Sequence, residues 1–311
     1  MMYVISLMRI LITGGSGFIG SHLVESFQGE AEVRVLDDMA TGHARNLQGM
    51  DVDLRRGCIL DEVDLEGAMV GVKYVFHLAA MISVAVSVHE PVRCEEVNGM
   101  GVVKVLGAAA RAGVKKVFFA SSAAVYGDNP VVPKTETMLP EPKSPYAITK
   151  LQGEHWCRFF QDEGKVETAA LRFFNVFGPR QDPRGAYAAA VPIFIEKALR
   201  GEPITIYGDG LQTRDFIYVK DIVAAIRHVT LTPGLTGVHN AGYGGMIRVR
   251  DLAEKIVELA GSKSEIQYLP ERAGDVKHSR AAVDALAATG FAPVSNLEEG
   301  LASTLDYFRG K

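Results

Sequence analysis

Tyr146 and Lys150, within Ser144-Pro-Tyr-Ala-Ile-Thr-Lys150, carry the most explicit chemical signal in the chain. Ser144 suits an N-cap and Pro145 the first helical position, so the spacing predicts a phenol and an ammonium on one face of a new helix. Free tyrosine ionises near pH ~10, but a fixed positive charge within a few ångströms favours the phenolate and brings it towards use as a base at neutral pH. The same spacing also describes an ordinary surface pair, and the rest of the chain must decide.

A second signal lies near the start. Met8 to Thr13 reads as a buried strand that runs into Gly14-Gly-Ser-Gly17-Phe-Ile-Gly20 and a helical segment from Ser21 to Phe27. Glycines let the backbone turn tightly and approach a pyrophosphate, whose charge meets amide N–H groups and the positive end of the helix dipole. A further strand, Glu32 to Leu36, ends in Asp37-Asp38, about 20 residues beyond the middle glycine. An acid there accepts from adenosine ribose hydroxyls, and Asp37 would repel a 2'-phosphate, so the pattern predicts NAD rather than NADP.

Strands are expected at Val52 to Arg56, Lys73 to Leu78, Val114 to Ser121 and Thr168 to Asn175, with helices between them. Such alternation predicts an α/β fold with right-handed crossovers, a doubly wound parallel (Rossmann) sheet. Its carboxyl edge gathers Gly14 to Gly20, Leu78 to Met81, and Ser121-Ser122. Pro91 to Gly113 reads as one long helix holding Asn98, which either bonds local backbone and kinks it or is a tolerated polar position. The helix of Lys150 extends to about Gln161. After Gly178 proline, glycine and arginine mark a loop leaving the sheet. Helices follow at Ala190 to Arg200, Val249 to Ala260 and Leu297 to Phe308, with a turn at Tyr207 to Gly210 and a return to the sheet edge at Gly237 to Ala241. The expected division is an NAD-binding domain over 1–174, with a return near 214–241, and a smaller interleaved α+β substrate-binding lobe over 175–311.

The chain has 311 residues, 48% hydrophobic and 23% charged, which fits a folded protein with a sizeable core rather than a disordered one. A net charge of -4 argues against tracking nucleic acid or an acidic membrane, so an anionic ligand must be held locally. Three scattered cysteines suit a reducing cytoplasm, and neither they nor the eight histidines fall at metal-ligand spacing. The apolar opening is too short to span a membrane and lacks the features of a signal peptide; residues 1–7 read as an extension ahead of a start at Met8.

Together, Thr13-Gly-Gly-Ser-Gly-Phe-Ile-Gly20, His77-Leu-Ala-Ala80, Ser121-Ser-Ala-Ala-Val-Tyr-Gly127, Tyr146-Ala-Ile-Thr-Lys150, Arg172-Phe-Phe-Asn-Val-Phe-Gly-Pro179 and Arg214-Asp-Phe-Ile-Tyr-Val219 resemble the extended short-chain dehydrogenase/reductase family. The resemblance runs nearly the whole chain from Met8 and is strongest to the nucleotide-sugar epimerases of the UDP-glucose 4-epimerase type. It implies that Tyr146 is the acid/base, that Lys150 lowers its pKa and holds the nicotinamide ribose, and that Ser122 bonds the reacting sugar hydroxyl. For the cofactor it implies contacts from Gly14, Gly17, Phe18, Ile19 and Gly20, from Asp37 and Asp38, and from Cys58 and Ile59. Leu78, Ala79, Ala80, Asn98, Ser121 and Phe173 complete that set. Asn175, Arg214 and Arg272 resemble the family's contacts to a substrate diphosphate, and Tyr207 either packs near the uracil or belongs to the core. A homodimer through the helices near Pro91 to Gly113 and Tyr146 to Gln161 is a further implication.

Three departures refine that expectation. The family's dehydratases carry Thr-Asp-Glu where this chain has Ser122-Ala-Ala124, and alanine cannot move a proton, so water elimination is disfavoured. Cys58 stands where the family usually has an aspartate thought to bond the adenine amino group, which leaves adenine to Ile59 packing and backbone. Ser279 stands where relatives restricted to plain hexoses tend to carry tyrosine, and leaves room for a 2-acetamido group. The expected activity is reversible NAD-dependent inversion at C4 of a UDP-hexose, UDP-glucose/UDP-galactose first and the N-acetyl forms second. The alternatives are a UDP-uronate 4-epimerase or nucleotide-sugar reductase, and a non-catalytic NAD-binding regulator.

Overall fold

The structure is a computed structural model of the chain and describes residues 8–184, 189–271 and 277–310. Its strands are β1 (Met8–Thr13), β2 (Ala31–Asp37), β3 (Asp53–Arg56), β4 (Val72–His77), β5 (Lys116–Ser122), β6 (Glu167–Phe173), β7 (Asn175–Phe177), β8 (Ile204–Tyr207), β9 (Thr213–Arg214), β10 (Phe216–Tyr218), β11 (Gly237–Ala241), β12 (Ile247–Arg248) and β13 (Ile266–Leu269). The helices are α1 (Phe18–Ser26), α2 (Glu62–Met69), α3 (Val84–His89), α4 (Pro91–Cys94), α5 (Gly101–Arg111), α6 (Pro145–Asp162), α7 (Ala190–Arg200), α8 (Val219–Leu231), α9 (Val249–Ala260), α10 (Asp284–Ala287) and α11 (Leu297–Arg309).

Seven strands form one sheet in the order β11-β6-β5-β4-β1-β2-β3. Strand β1 pairs parallel with β2 and β4, and β4 pairs parallel with β5. The runs Ile10-Leu-Ile12, Val33-Arg-Val-Leu36 and Val117-Phe-Phe119 are buried along their length, as expected of strands covered on both faces. Thr13, Leu36, His77 and Phe119 fall in one row, so the loops after them leave the sheet side by side. That row fixes where chemistry can be placed.

The chain divides into two compact units. The first runs to Ser121 and adds Ser144–Leu171 and Ile226–Val238; its core packs Leu106, Phe119, Phe160 and neighbours. The second holds Ser122–Lys143, Arg172–Ala225 and the chain from His239. It contains short ladders, β10 parallel to β7, β13 parallel to β8, and β12 antiparallel to β9.

Some expectations shift. Helix α1 starts at Phe18, ahead of the expected Ser21, because extended Gly17 serves as its N-cap. The long helix at Pro91 to Gly113 is divided by a π-helical turn, Glu95–Met100. The strand expected to run through Asn175 stops at Phe173; Asn175 N–H turns to Asp215 O at 3.0 Å, starting β7.

Candidate active site

In the first unit the glycine turn forms a close-packed cradle. Gly14 has φ +71°, and a Cβ there would lie 2.7 Å from Ala79 N, so neither its conformation nor its space admits a side chain. A Cβ on Gly20 would collide with the carbonyl of Gly14. No side chain caps the N-terminus of α1, which leaves the N–H end near half-exposed Phe18 and Ile19 to meet an anion.

Asp37, at the end of β2, is buried and already oriented. Ser16 N–H donates to its Oδ2 at 2.9 Å, and Met39 N–H to its Oδ1 at 2.8 Å. An ionised carboxylate has about four acceptor positions, so it can still receive ribose hydroxyls. Ser16 O accepts in turn from His43 N–H and from the buried amide of Asn46 at 2.9 Å. Asn46, missed by sequence reasoning, thereby ties the loop after β2 to the glycine turn. Exposed Asp38 accepts from Ala40 N–H. Cys58 N–H donates to Asp64, and its sulfur accepts from Leu60 N–H at 3.5 Å. Ile59 is 5% exposed and belongs to the unit's core.

Leu78, Ala79 and Ala80 follow β4, partly exposed. Thr13 Oγ1 bonds His77 Nδ1 at 2.8 Å and accepts from Ala79 N–H at 3.3 Å. Burial, then the charge of Lys150, pushes His77 down to about 3, which keeps its ring neutral. Asn98 differs from the local bonding weighed in sequence. Its Oδ1 accepts from Met81 N–H at 2.8 Å and its Nδ2 donates to Met81 O at 2.9 Å, so it clamps the β4 loop. This amide is taken up by protein, and the π turn is what aims it.

Helix α6 starts as the sequence predicts: Ser144 Oγ caps Ala147 N–H and Pro145 occupies the first turn. Tyr146 N–H donates to Ser87 Oγ at 3.1 Å. Lys150 Nζ donates to Ala120 O at 2.8 Å and lies 5.7 Å from the Tyr146 ring centroid. Burial brings Lys150 down to about 8, while Cys94 pulls upward. Buried Ser121 donates to Glu154 Oε1 at 2.5 Å, another partner that sequence reasoning missed. Glu154 follows Lys150 by four residues on α6, which was the available signal.

In the second unit, Ser122 Oγ caps the short helical turn Ala123–Tyr126 by accepting from Ala124 N–H at 3.1 Å. Tyr126 donates to Asn240 Oδ1 at 2.6 Å and accepts from Arg172 at 2.9 Å, which anchors that turn. Asn175 heads β7, Arg214 lies on β9, half-buried, and Phe173 ends β6. Ser279 N–H donates to Thr213 O at 3.1 Å, which brings it beside Arg214. Tyr207 lines an 840 Å³ cavity with Gln212, Thr213, Met246, Arg248 and His278. Tyr207 is half-buried. Arg272 lies outside the described residues, as do residues 1–7.

The close-packed glycine turn, the uncapped helix N-terminus and the oriented Asp37 fit a dinucleotide. Among the described residues no group of His, Cys, Asp or Glu could hold a metal ion, and no helix is long and apolar enough to cross a membrane.

The chain belongs to the NAD dependent epimerase/dehydratase family, which it matches over residues 10–240. It is 38% identical to a UDP-glucose 4-epimerase of Mycolicibacterium smegmatis, over 98% of this chain and 99% of that one. Among solved structures it is similar to the UDP-N-acetylglucosamine 4-epimerase of Methanobrevibacter ruminantium in complex with UDP-N-acetylmuramic acid, at 39% identity and TM-score 0.95, covering 98% of this chain and 99% of that one. The Thermus thermophilus UDP-glucose 4-epimerase complex with NAD is 39% identical with TM-score 0.90, over 97% of this chain and 99% of that one.

Proposed function

We infer that this chain is an isomerase that inverts C4 of a UDP-hexose, with NAD as its cofactor. The observation that carries the reading is Lys150, buried on α6 with its ammonium beside the Tyr146 ring, in the unit that also holds the glycine cradle and Asp37. NAD, when bound, supplies the hydride acceptor and donor through which C4 becomes a transient ketone and an alcohol again. Tyr146 Oη takes the C4 hydroxyl proton and returns it, with Lys150 favouring the phenolate by its charge. The Ser122 hydroxyl bonds the reacting oxygen. Asn175, Arg214 and Arg272 hold the diphosphate, for which guanidinium is geometrically suited. Tyr207 packs by the uracil, and Ser279 leaves space for an N-acetyl group.

Ala123 and Ala124 follow Ser122 in its turn and carry no transferable proton, which speaks against a dehydratase. The sugar specificity most consistent with the chain is UDP-glucose/UDP-galactose, with the N-acetylhexosamine forms also accepted. A homodimer is supported by the exposed Val84, Val88, Val92 and Met100 on the α3 to α5 stretch and by Ile148 and Phe159 on α6. Three unpaired cysteines support a reducing, cytoplasmic setting.

The deciding experiment incubates purified protein with UDP-glucose, UDP-N-acetylglucosamine and UDP-glucuronate and separates the products. C4 epimers formed without stoichiometric change in NADH are expected. Net NADH consumption would instead mark a reductase, epimerisation of UDP-glucuronate alone a uronate epimerase, and NAD binding without turnover a regulator.

A further inference from the structure

We propose that Asp215 is the positioning residue of the sugar-diphosphate half of the site, the node to which Asn175, Arg214 and Ser279 are all tied. The proposal rests on the epimerase reading of those three residues. Asp215 is 0% exposed and sits between β9 and β10. Its backbone carbonyl accepts from Asn175 N–H at 3.0 Å and from Asn175 Nδ2 at 3.2 Å, which sets both the start of β7 and the direction of that amide. Its carboxylate accepts from Tyr243 N–H at 2.8 Å, Gly244 N–H at 3.0 Å and Ala281 N–H at 2.9 Å. The last bond fixes the segment of Ser279, which also pairs with Thr213 O. Arg214 is the residue immediately before it.

A buried carboxylate without a cation in hydrogen-bond contact is costly unless several N–H groups receive it. Burial pushes the Asp215 carboxyl upward, and the three N–H donors, with Arg280 nearby, oppose that. What this arrangement secures is the relative placement of three chain segments, two carrying the diphosphate contacts Asn175 and Arg214 and the third the small Ser279 beside the sugar. Gly242 shows how tight the node is: a Cβ there would lie 2.8 Å from Asp215 Oδ2 and 2.7 Å from Ala281 Cβ. Asp215 acts through these neighbours and need not touch substrate.

The test uses full-length Asp215→Asn, which turns an NH2 towards one of the donors, and Gly242→Ala, which keeps the acid but crowds it. UDP and NAD affinities are measured by calorimetry, with KM, kcat and unfolding midpoints in parallel. Each variant should weaken UDP by about tenfold and raise KM to match, with kcat and NAD affinity within about twofold. A folded variant with unchanged UDP affinity overturns the proposal, as does a lower unfolding midpoint with unaltered KM. If Asp215→Asn does not fold, Gly242→Ala decides by the same criteria. Failure of the wild type to bind UDP would instead sink the epimerase reading.

Discussion

At the scale of single residues, the proposed function turns on a proton and a charge. Tyr146→Phe removes the ionisable oxygen with little change of shape. It should retain NAD while losing about 10²- to 10⁴-fold in kcat, read by steady-state epimerisation and NAD titration. Lys150 makes a separate prediction through pH. Unfolded lysine keeps its proton to about 10.5, whereas the folded site releases it near 8. Between those values the unfolded chain binds more protons, so this group's contribution to stability rises with pH, is complete above the unfolded value and is lost as pH falls through about 8. Denaturant melts of apo wild type against Lys150→Met should show the wild type gaining relative stability across that window, by at most about 3 kcal/mol. A flat difference would contradict the buried ammonium.

Elements decide where such groups stand. The π turn rotates Asn98 onto Met81, so Asn98→Ala should speed hydrogen exchange at the Met81 amide and loosen the β4 loop. Asn46→Ala should weaken NAD by about tenfold in calorimetry and leave UDP unaffected, because Ser16 O loses one of its donors. Much of this framework was legible in sequence. Buried parallel strands give continuous apolar runs, glycine turns have fixed spacing, and Ser144-Pro145 announces α6. The π turn was not legible, because it goes with a bond from Asn98 to a residue 17 positions away, which no local propensity encodes. Asn46 escaped, and Asp215 was seen only as part of the Arg214-Asp-Phe motif, for a related reason: a lone polar residue has no periodicity, and its importance appears only when its buried partners are known.

Over the whole molecule the two units differ in how openly the sequence describes them. The second is assembled from strands as short as Thr213–Arg214 and Ile247–Arg248, too brief for any alternation to emerge. Only its motifs, Arg214-Asp-Phe and Arg172-Phe-Phe-Asn, stood out, and the family resemblance rather than patterning gave them roles. The proposed homodimer makes its own prediction. Val92→Glu combined with Phe159→Glu, both at exposed apolar positions, should shift sedimentation from dimer to monomer without unfolding the chain.

Asp37 is fastened by two amides before any nucleotide arrives. A receptor group that does not need to search for its pose imposes little ordering entropy at docking, and the gain falls on residence time. An isomerase returns its dinucleotide to the starting oxidation state every cycle and has no reason to exchange it with the medium. The freshly isolated protein should therefore carry nucleotide through several columns, detected by its ultraviolet absorbance in the supernatant after a sample is denatured.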